Sequence, residues 1–221
     1  MFHWLEQRPF FFAVFVFLFI SFAGLIEAIP DFAKQARPTV GTQPYTVLQL
    51  AGRHVYIKDS CNACHSQLIR PFKSETDRYG MYSLSGEYAY DRPFLWGSKR
   101  TGPDLMRVGN YRSTDWHENH MMDPVSVVPG SIMPAYKHQF VNPADIDTAY
   151  AEAYTVKTVF NTPYDQEGMP KLGTIEEARA AALEEAKLVA ADMKNQAVKD
   201  AVAAGQIPQI VALIAYLNSL K

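Results

Sequence analysis

Residues 59–72 read DSCNACHSQLIRPF, and within them fall the only two cysteines of the 221-residue chain, Cys61 and Cys64, with His65 directly behind. Two thiols and an imidazole at Cys-x-x-Cys-His spacing admit three chemistries. A thiol–disulfide pair belongs near a βαβ pattern. The flank here is helical instead: YTVLQLAGRHVYIKD carries Val47, Leu50, Ala51 and Val55 at three-to-four spacing, followed by Tyr56. A structural zinc site needs four ligands, usually from a second Cys/His pair. There is no second Cys-x-x-Cys, and His117 and His120 are the candidates left to complete a Cys2His2 set. The third chemistry is covalent haem, for which Cys-x-x-Cys-His is the c-type attachment signature. Positions three apart lie on one side of a helical turn. Two sulfurs can then bond two substituents along one porphyrin edge, while His65 turns its imidazole under the iron as the proximal ligand.

Further along, TGPDL, residues 101–105, resembles the Gly-Pro-x-Leu element of class I cytochromes c. That resemblance implies that the Pro103 carbonyl accepts the ring N–H of His65 and so fixes its tautomer. Two methionines precede proline, Met133 in GSIMPAY and Met169 in EGMPKLG. A residue before proline is held in extended backbone, which lets a thioether project onto an iron. Met133 is the preferred sixth ligand, with His117 and His120 as rivals and Met169 assigned to the loop leading into an acidic helix. The terminal QIVALIAYLNSLK, residues 209–221, spaces Ile210, Leu213, Ile214, Leu217 and Leu220 as one helix face. It resembles the C-terminal helix of class I cytochromes c, which crosses the helix ahead of the haem motif.

The N-terminus holds FFFAVFVFLFISFAGLI, Phe10–Ile26, without a charge. Some twenty residues at about 1.5 Å each span about 30 Å, one hydrocarbon thickness. A cleaved signal peptide is the competing reading, but its apolar core is usually shorter and ends in a small-x-small site, whereas GLIEAIP offers glutamate and bulky residues. The expectation is an uncleaved anchor over residues 1–30 ending at Pro30, a Pro/Gly-bearing linker over 31–45, and one mono-haem domain over 46–221. A net charge of −2 gives no sign of nucleic-acid binding. Charge is uneven, however: residues 61–112 hold 8 Lys/Arg against 5 Asp/Glu, and residues 113–204 hold 7 against 14. A basic face and an acidic face bear on partner docking.

Between His65 and TGPDL lies a long insertion, residues 66–100, in which Phe72, Tyr79, Tyr82, Tyr88, Tyr90, Phe94 and Trp96 interleave with arginine and lysine. Aromatics and arginine are enriched at buried interfaces, and basic side chains also suit haem carboxylates. Residues 176–205 form an alanine- and glutamate-rich run of high helix propensity, read first as a solvated helix, with packing on the core or partner binding as alternatives. From about Pro44 to Tyr136 the chain resembles the mono-haem, membrane-anchored subunit (FixO type) of cbb3-type cytochrome c oxidase. The resemblance implies a mainly α fold: one transmembrane helix, a class I cytochrome c-like domain with a long insertion, and an extra C-terminal helical segment. It implies one covalently bound haem c held by Cys61, Cys64, His65, Met133 and Pro103, and single-electron transfer to a catalytic haem–copper subunit that reduces oxygen. The donor would be a di-haem cytochrome c subunit or a soluble c-type cytochrome, and no oxygen-reducing site lies in this chain. The location implied is the bacterial inner membrane, single-pass, with the N-terminus cytoplasmic and the haem domain periplasmic. A free-standing anchored cytochrome c is the alternative, and a haem-based sensor lacks an output module. Arg70, Arg107, Arg112, Trp116 and Tyr136 stand beside these motifs as haem-pocket candidates.

Overall fold

The computed structural model describes residues 2–33, 37–97 and 99–221. Part of the expected linker, residues 34–36, lies outside them. The chain divides into two compact units, Met1–Ala36 and Arg37–Lys221.

The first unit is a short helix α1 (Phe2–Glu6) and a long helix α2 (Pro9–Ala33). Proline opens α2, where its missing N–H costs nothing. Pro9–Ile29 is the one helix among the described residues long and apolar enough to cross a membrane. The expected stop at Pro30 is corrected: the helix continues to Ala33. Proline removes one amide donor, and one turn from a helix end that loss weakens a single hydrogen bond without breaking the helix.

The second unit is helical, with no strand among its described residues. Its elements are α3 (Val47–Lys58), α4 (Cys61–Cys64), α5 (Lys73–Tyr79), α6 (Thr114–Met122), α7 (Pro124–Val127), α8 (Ile146–Phe160), α9 (Ile175–Ala191), α10 (Gln196–Ala203) and α11 (Gln209–Ser219). The segment ahead of α3 is irregular and pinned to this unit: Thr39 N–H donates to the Gly86 carbonyl at 3.1 Å, and Tyr164 Oη to the Tyr45 carbonyl at 2.8 Å.

Thr46 starts α3 with a capping box, its hydroxyl accepting from Gln49 N–H at 3.2 Å while Gln49 Oε1 accepts from Thr46 N–H at 3.1 Å. The apolar side chains of α3 and α11 bury each other at the centre of the main core. Their axes approach so closely at Gly52 that a Cβ there would stand 1.9 Å from the Ala212 carbonyl oxygen. Tyr216 of α11 lies between Tyr45 and Tyr56, edge to face with both at 5.6 Å.

The alanine-rich run is not a solvated rod. Ala178, Ala182, Ala186 and Ala190 repeat every fourth residue and are all buried. Their small side chains let α9 sit against α3, α8, α10 and α11. The insertion forms a second small core of Ile69, Tyr79, Tyr88 and Met106. Two of its arginines, Arg70 and Arg100, bond Glu75 within it, Arg100 at 2.8 Å, and Arg107 from beyond it clamps Glu87 at 2.6 and 2.9 Å.

Candidate haem site

The Cys-x-x-Cys turn is α4, set at an angle to α3 by Ser60, whose φ of 57° lies in the left-handed region. Cys61 is buried and Cys64 exposed, and both thiols are free. Burial, with the Asp59 carboxylate adding to it, pushes the Cys61 thiol up to about 12. A thiol kept protonated in this way is a poor redox nucleophile. His65 caps the turn in extended backbone (φ −116°, ψ 126°), so its ring leaves the helical path. His65 Nδ1–H donates to the Pro103 carbonyl at 2.8 Å. A carbonyl can only accept, so the proton is on Nδ1 and the Nε2 lone pair is free for a ligand. Burial lowers the imidazole's affinity for a second proton, the Pro103 bond opposing in part.

The loop carrying Pro103 is fixed against the turn by two main-chain bonds: Gly102 N–H to Cys64 O and Leu105 N–H to Ser66 O, each 2.9 Å. Asp104, fully buried, accepts from Ser66 Oγ at 2.6 Å and from the N–H groups of Leu68 and Met106 at 2.9 Å. Arg100 links that carboxylate (3.4 Å) to Glu75. The Arg100 guanidinium beside it, with Arg70 opposite, holds the Glu75 carboxyl down at about 2. None of Asp104, Glu75 or Arg100 emerged from motif reading. Their only signal was a charged residue inside an apolar motif and a carboxylate between two arginines in sequence.

A cleft of about 650 Å³ opens in front of His65, within the range of cofactor pockets. Its lining brings together Cys61, Cys64, His65, Pro103 and Met133, which come from separate segments, with Leu213 and Leu217 of α11 behind. His117 and His120 of α6 line it too, but Met169 does not. Met133 is half-buried on a loop held at its far end by Tyr136 N–H to the Met121 carbonyl, 2.8 Å. Burial pushes His117 down to about 4, His120 and Arg112 adding repulsion, and burial lowers His120 as well. Both imidazoles are therefore neutral near pH 7. Among the described residues, no three His, Cys, Asp or Glu side chains gather as a metal-binding cluster.

The residues fit a haem. The Gly102 backbone sits so close to His65 that a Cβ would meet ring atom Cε1 at 2.2 Å, so the imidazole is wedged in one orientation. Thiols, a tautomer-fixed imidazole and a thioether all face one largely apolar space. Of the pocket candidates, Arg112, Trp116 and Tyr136 line the cleft, whereas Arg70 and Arg107 are spent on Glu75 and Glu87.

No curated protein matched the chain. The family described as cytochrome c oxidase, mono-haem subunit/FixO, matches residues 2–221, essentially its whole length. The chain therefore belongs to the FixO family, one-haem subunits of the oxidoreductase complex cytochrome c oxidase, and its apolar N-terminal helix suits a membrane anchor.

Proposed function

We propose that this chain is the electron-relay subunit of a cbb3-type oxidase, holding one covalent haem c between His65 and Met133 and passing single electrons toward the catalytic haem–copper subunit. The observation that carries the reading is the convergence of Cys61, Cys64, the Pro103-bonded His65 and Met133 on one cleft. Haem bound there supplies a one-electron couple. Cys61 and Cys64 would hold it through their sulfurs as two thioethers. His65 would offer Nε2 as a ligand because Pro103 holds its other nitrogen. Met133 would offer its thioether as the second ligand, which favours a higher potential than a second imidazole would. With an imidazole and a thioether both committed to holding the group, the site would support electron transfer rather than oxygen binding. Its work is confined to changing charge by one electron. The hydrogen bonds of Ser66 to Asp104 and Arg100 would hold the His65 loop in place.

The donor is a di-haem cytochrome c subunit or a soluble c-type cytochrome. The anchor lies in the bacterial inner membrane with the N-terminus cytoplasmic and residues 37–221 periplasmic, the side on which covalent haem attachment occurs. In the insertion, Phe94 and Trp96 stack at 4.7 Å and are both exposed. Exposed stacked aromatics suit a lasting protein contact, which supports a fixed subunit. The test is separation of the purified membrane complex, with subunits stained for covalent haem. One stained band of this chain that comigrates with a haem–copper subunit supports the proposal. A stained band migrating alone makes the chain an anchored carrier, and an unstained band removes the haem reading altogether.

A further inference from the structure

Six arginines lie around the insertion and the cleft; Arg92 donates to the Asp91 carbonyl, and three have carboxylate partners: Arg70 and Arg100 with Glu75, Arg107 with Glu87. Arg78 and Arg112 do not. Among the described residues, each lies against an aromatic ring instead: Arg78 over Tyr79 at 5.1 Å and Arg112 over Trp116 at 4.4 Å. Both line the haem cleft. They come from different segments, the end of α5 and the loop before α6, yet both act electrostatically on Tyr111, which lines the same cleft. Tyr136, also on the cleft, has Cys61, Asp59 and Cys64 as its charged neighbours. One part of the cleft is thus built around the thiols and another around two unpaired guanidinium groups. The one carboxylate lining the cleft, Asp104, is already occupied by Ser66 and two backbone N–H groups.

A haem has the same polarity. The edge that reacts with cysteines is apolar, and two carboxylates hang from another edge. We propose that Arg78 and Arg112 bind those two carboxylates, guanidinium N–H groups donating to carboxylate oxygens, and that they thereby set the haem's orientation and raise its potential. The inference rests on the haem reading of the cleft. Guanidinium is suited to this because its planar fork matches a carboxylate and it stays charged when desolvated. The aromatic rings beneath fix each fork without competing for its donors.

The test uses the full chain, produced with haem-attachment machinery and purified in detergent, with Arg78→Gln, Arg112→Gln, the double variant and the two Lys variants. Covalent haem staining and midpoint potential are read on each. With the pairing, all variants stain, each Gln variant has a lower midpoint potential than the parent, the double variant is lowest, and Lys restores most of the loss. Removing positive charge stabilises the oxidised, more positive iron, which fixes the sign. Stained Gln variants with the parent's potential overturn the pairing while leaving the haem reading intact. An unstained parent chain overturns the haem reading itself. Should the Gln variants fail to accumulate, redox-difference infrared spectra of the parent with guanidino-15N arginine decide the matter. Label-sensitive bands support the pairing, and their absence overturns it.

Discussion

At Gly102 the absence of a Cβ lets the backbone ride against the His65 ring, at a distance no side chain tolerates. In Gly102→Ala the new carbon would stand 2.2 Å from Cε1 and 2.7 Å from Nδ1, so the imidazole must leave its place under Pro103. The cysteines are untouched, so haem is expected to remain attached while the optical spectrum shifts from low-spin to high-spin. A native spectrum in this variant would show that His65 is not wedged as described. Glu75 makes a second prediction at the same scale. Its carboxyl is held at about 2 by Arg100 and Arg70 and its side chain is buried. A carboxyl depressed below its unfolded value stabilises the fold above about pH 4.5, and that stabilisation is lost as pH falls toward 2. The lowering corresponds to about 3 kcal/mol. Glu75→Gln is expected to lower the thermal midpoint at pH 7 and to flatten the acid limb of the stability curve between about pH 5 and pH 2. Parallel acid limbs for parent and variant would contradict the ion-pair account.

Helices α3 and α11 touch through their backbones at Gly52, so the pair is tuned by one missing carbon. A Cβ would meet the Ala212 carbonyl at 1.9 Å and Tyr216 Cβ at 2.9 Å, and neither can rotate away. Gly52→Ala therefore separates the helices, at a cost of about 3 kcal/mol, read as a fall in melting temperature of roughly 6–12 °C for a domain of this size. A second coupling runs from the cleft to the C-terminal helices. Glu118 of α6 is buried and accepts from the N–H groups of Lys194 and Asn195, at 2.6 and 2.7 Å, in the turn between α9 and α10. Glu118→Ala leaves two amides without that acceptor, costing about 3 kcal/mol. It is expected to speed hydrogen exchange in residues 194–203 ahead of the rest of the unit, whereas uniform exchange would mean that the turn is held otherwise. The apolar spacings of α3 and α11 were legible in the sequence because each helix has a clear buried stripe. The contact at Gly52 was not, since a glycine within a helix looks the same whether it is a weakness or a crossing point. Nor was the packing of α9, because alanine favours helix equally on a wet face and a dry one, so propensity cannot say which side Ala178, Ala182, Ala186 and Ala190 present.

Across the second unit, the site is assembled from five stretches of sequence, and its legibility follows their locality. Cys61, Cys64 and His65 are readable because the chemistry demands their spacing, and Pro103 because its neighbours resemble a known element. Arg112 was readable as a neighbour of the TGPDL element, whereas Arg78 belongs to no motif, and folding brings both to one cleft. The insertion divided in a way that composition could not foretell: Tyr79 and Tyr88 went into a small core of their own, leaving Phe72, Phe94 and Trp96 outside. The site, the insertion and the acidic C-terminal helices all draw their buried residues from Val47 onward. Within the first unit, phenylalanines of α2 such as Phe10 and Phe17 expose most of their surface, as lipid-facing side chains do. A chain beginning at Arg37, exported behind a cleavable signal with the haem-attachment machinery present, is therefore expected to fold, to stain for covalent haem and to melt within about 2 °C of the full chain, a shift near 0.5 kcal/mol for this size. It should remain in the supernatant when membranes are sedimented, while the full chain pellets. Loss of haem or a large drop in melting temperature would mean that the first unit supports the second, and a shortened chain that still pellets would place the membrane contact within residues 37–221.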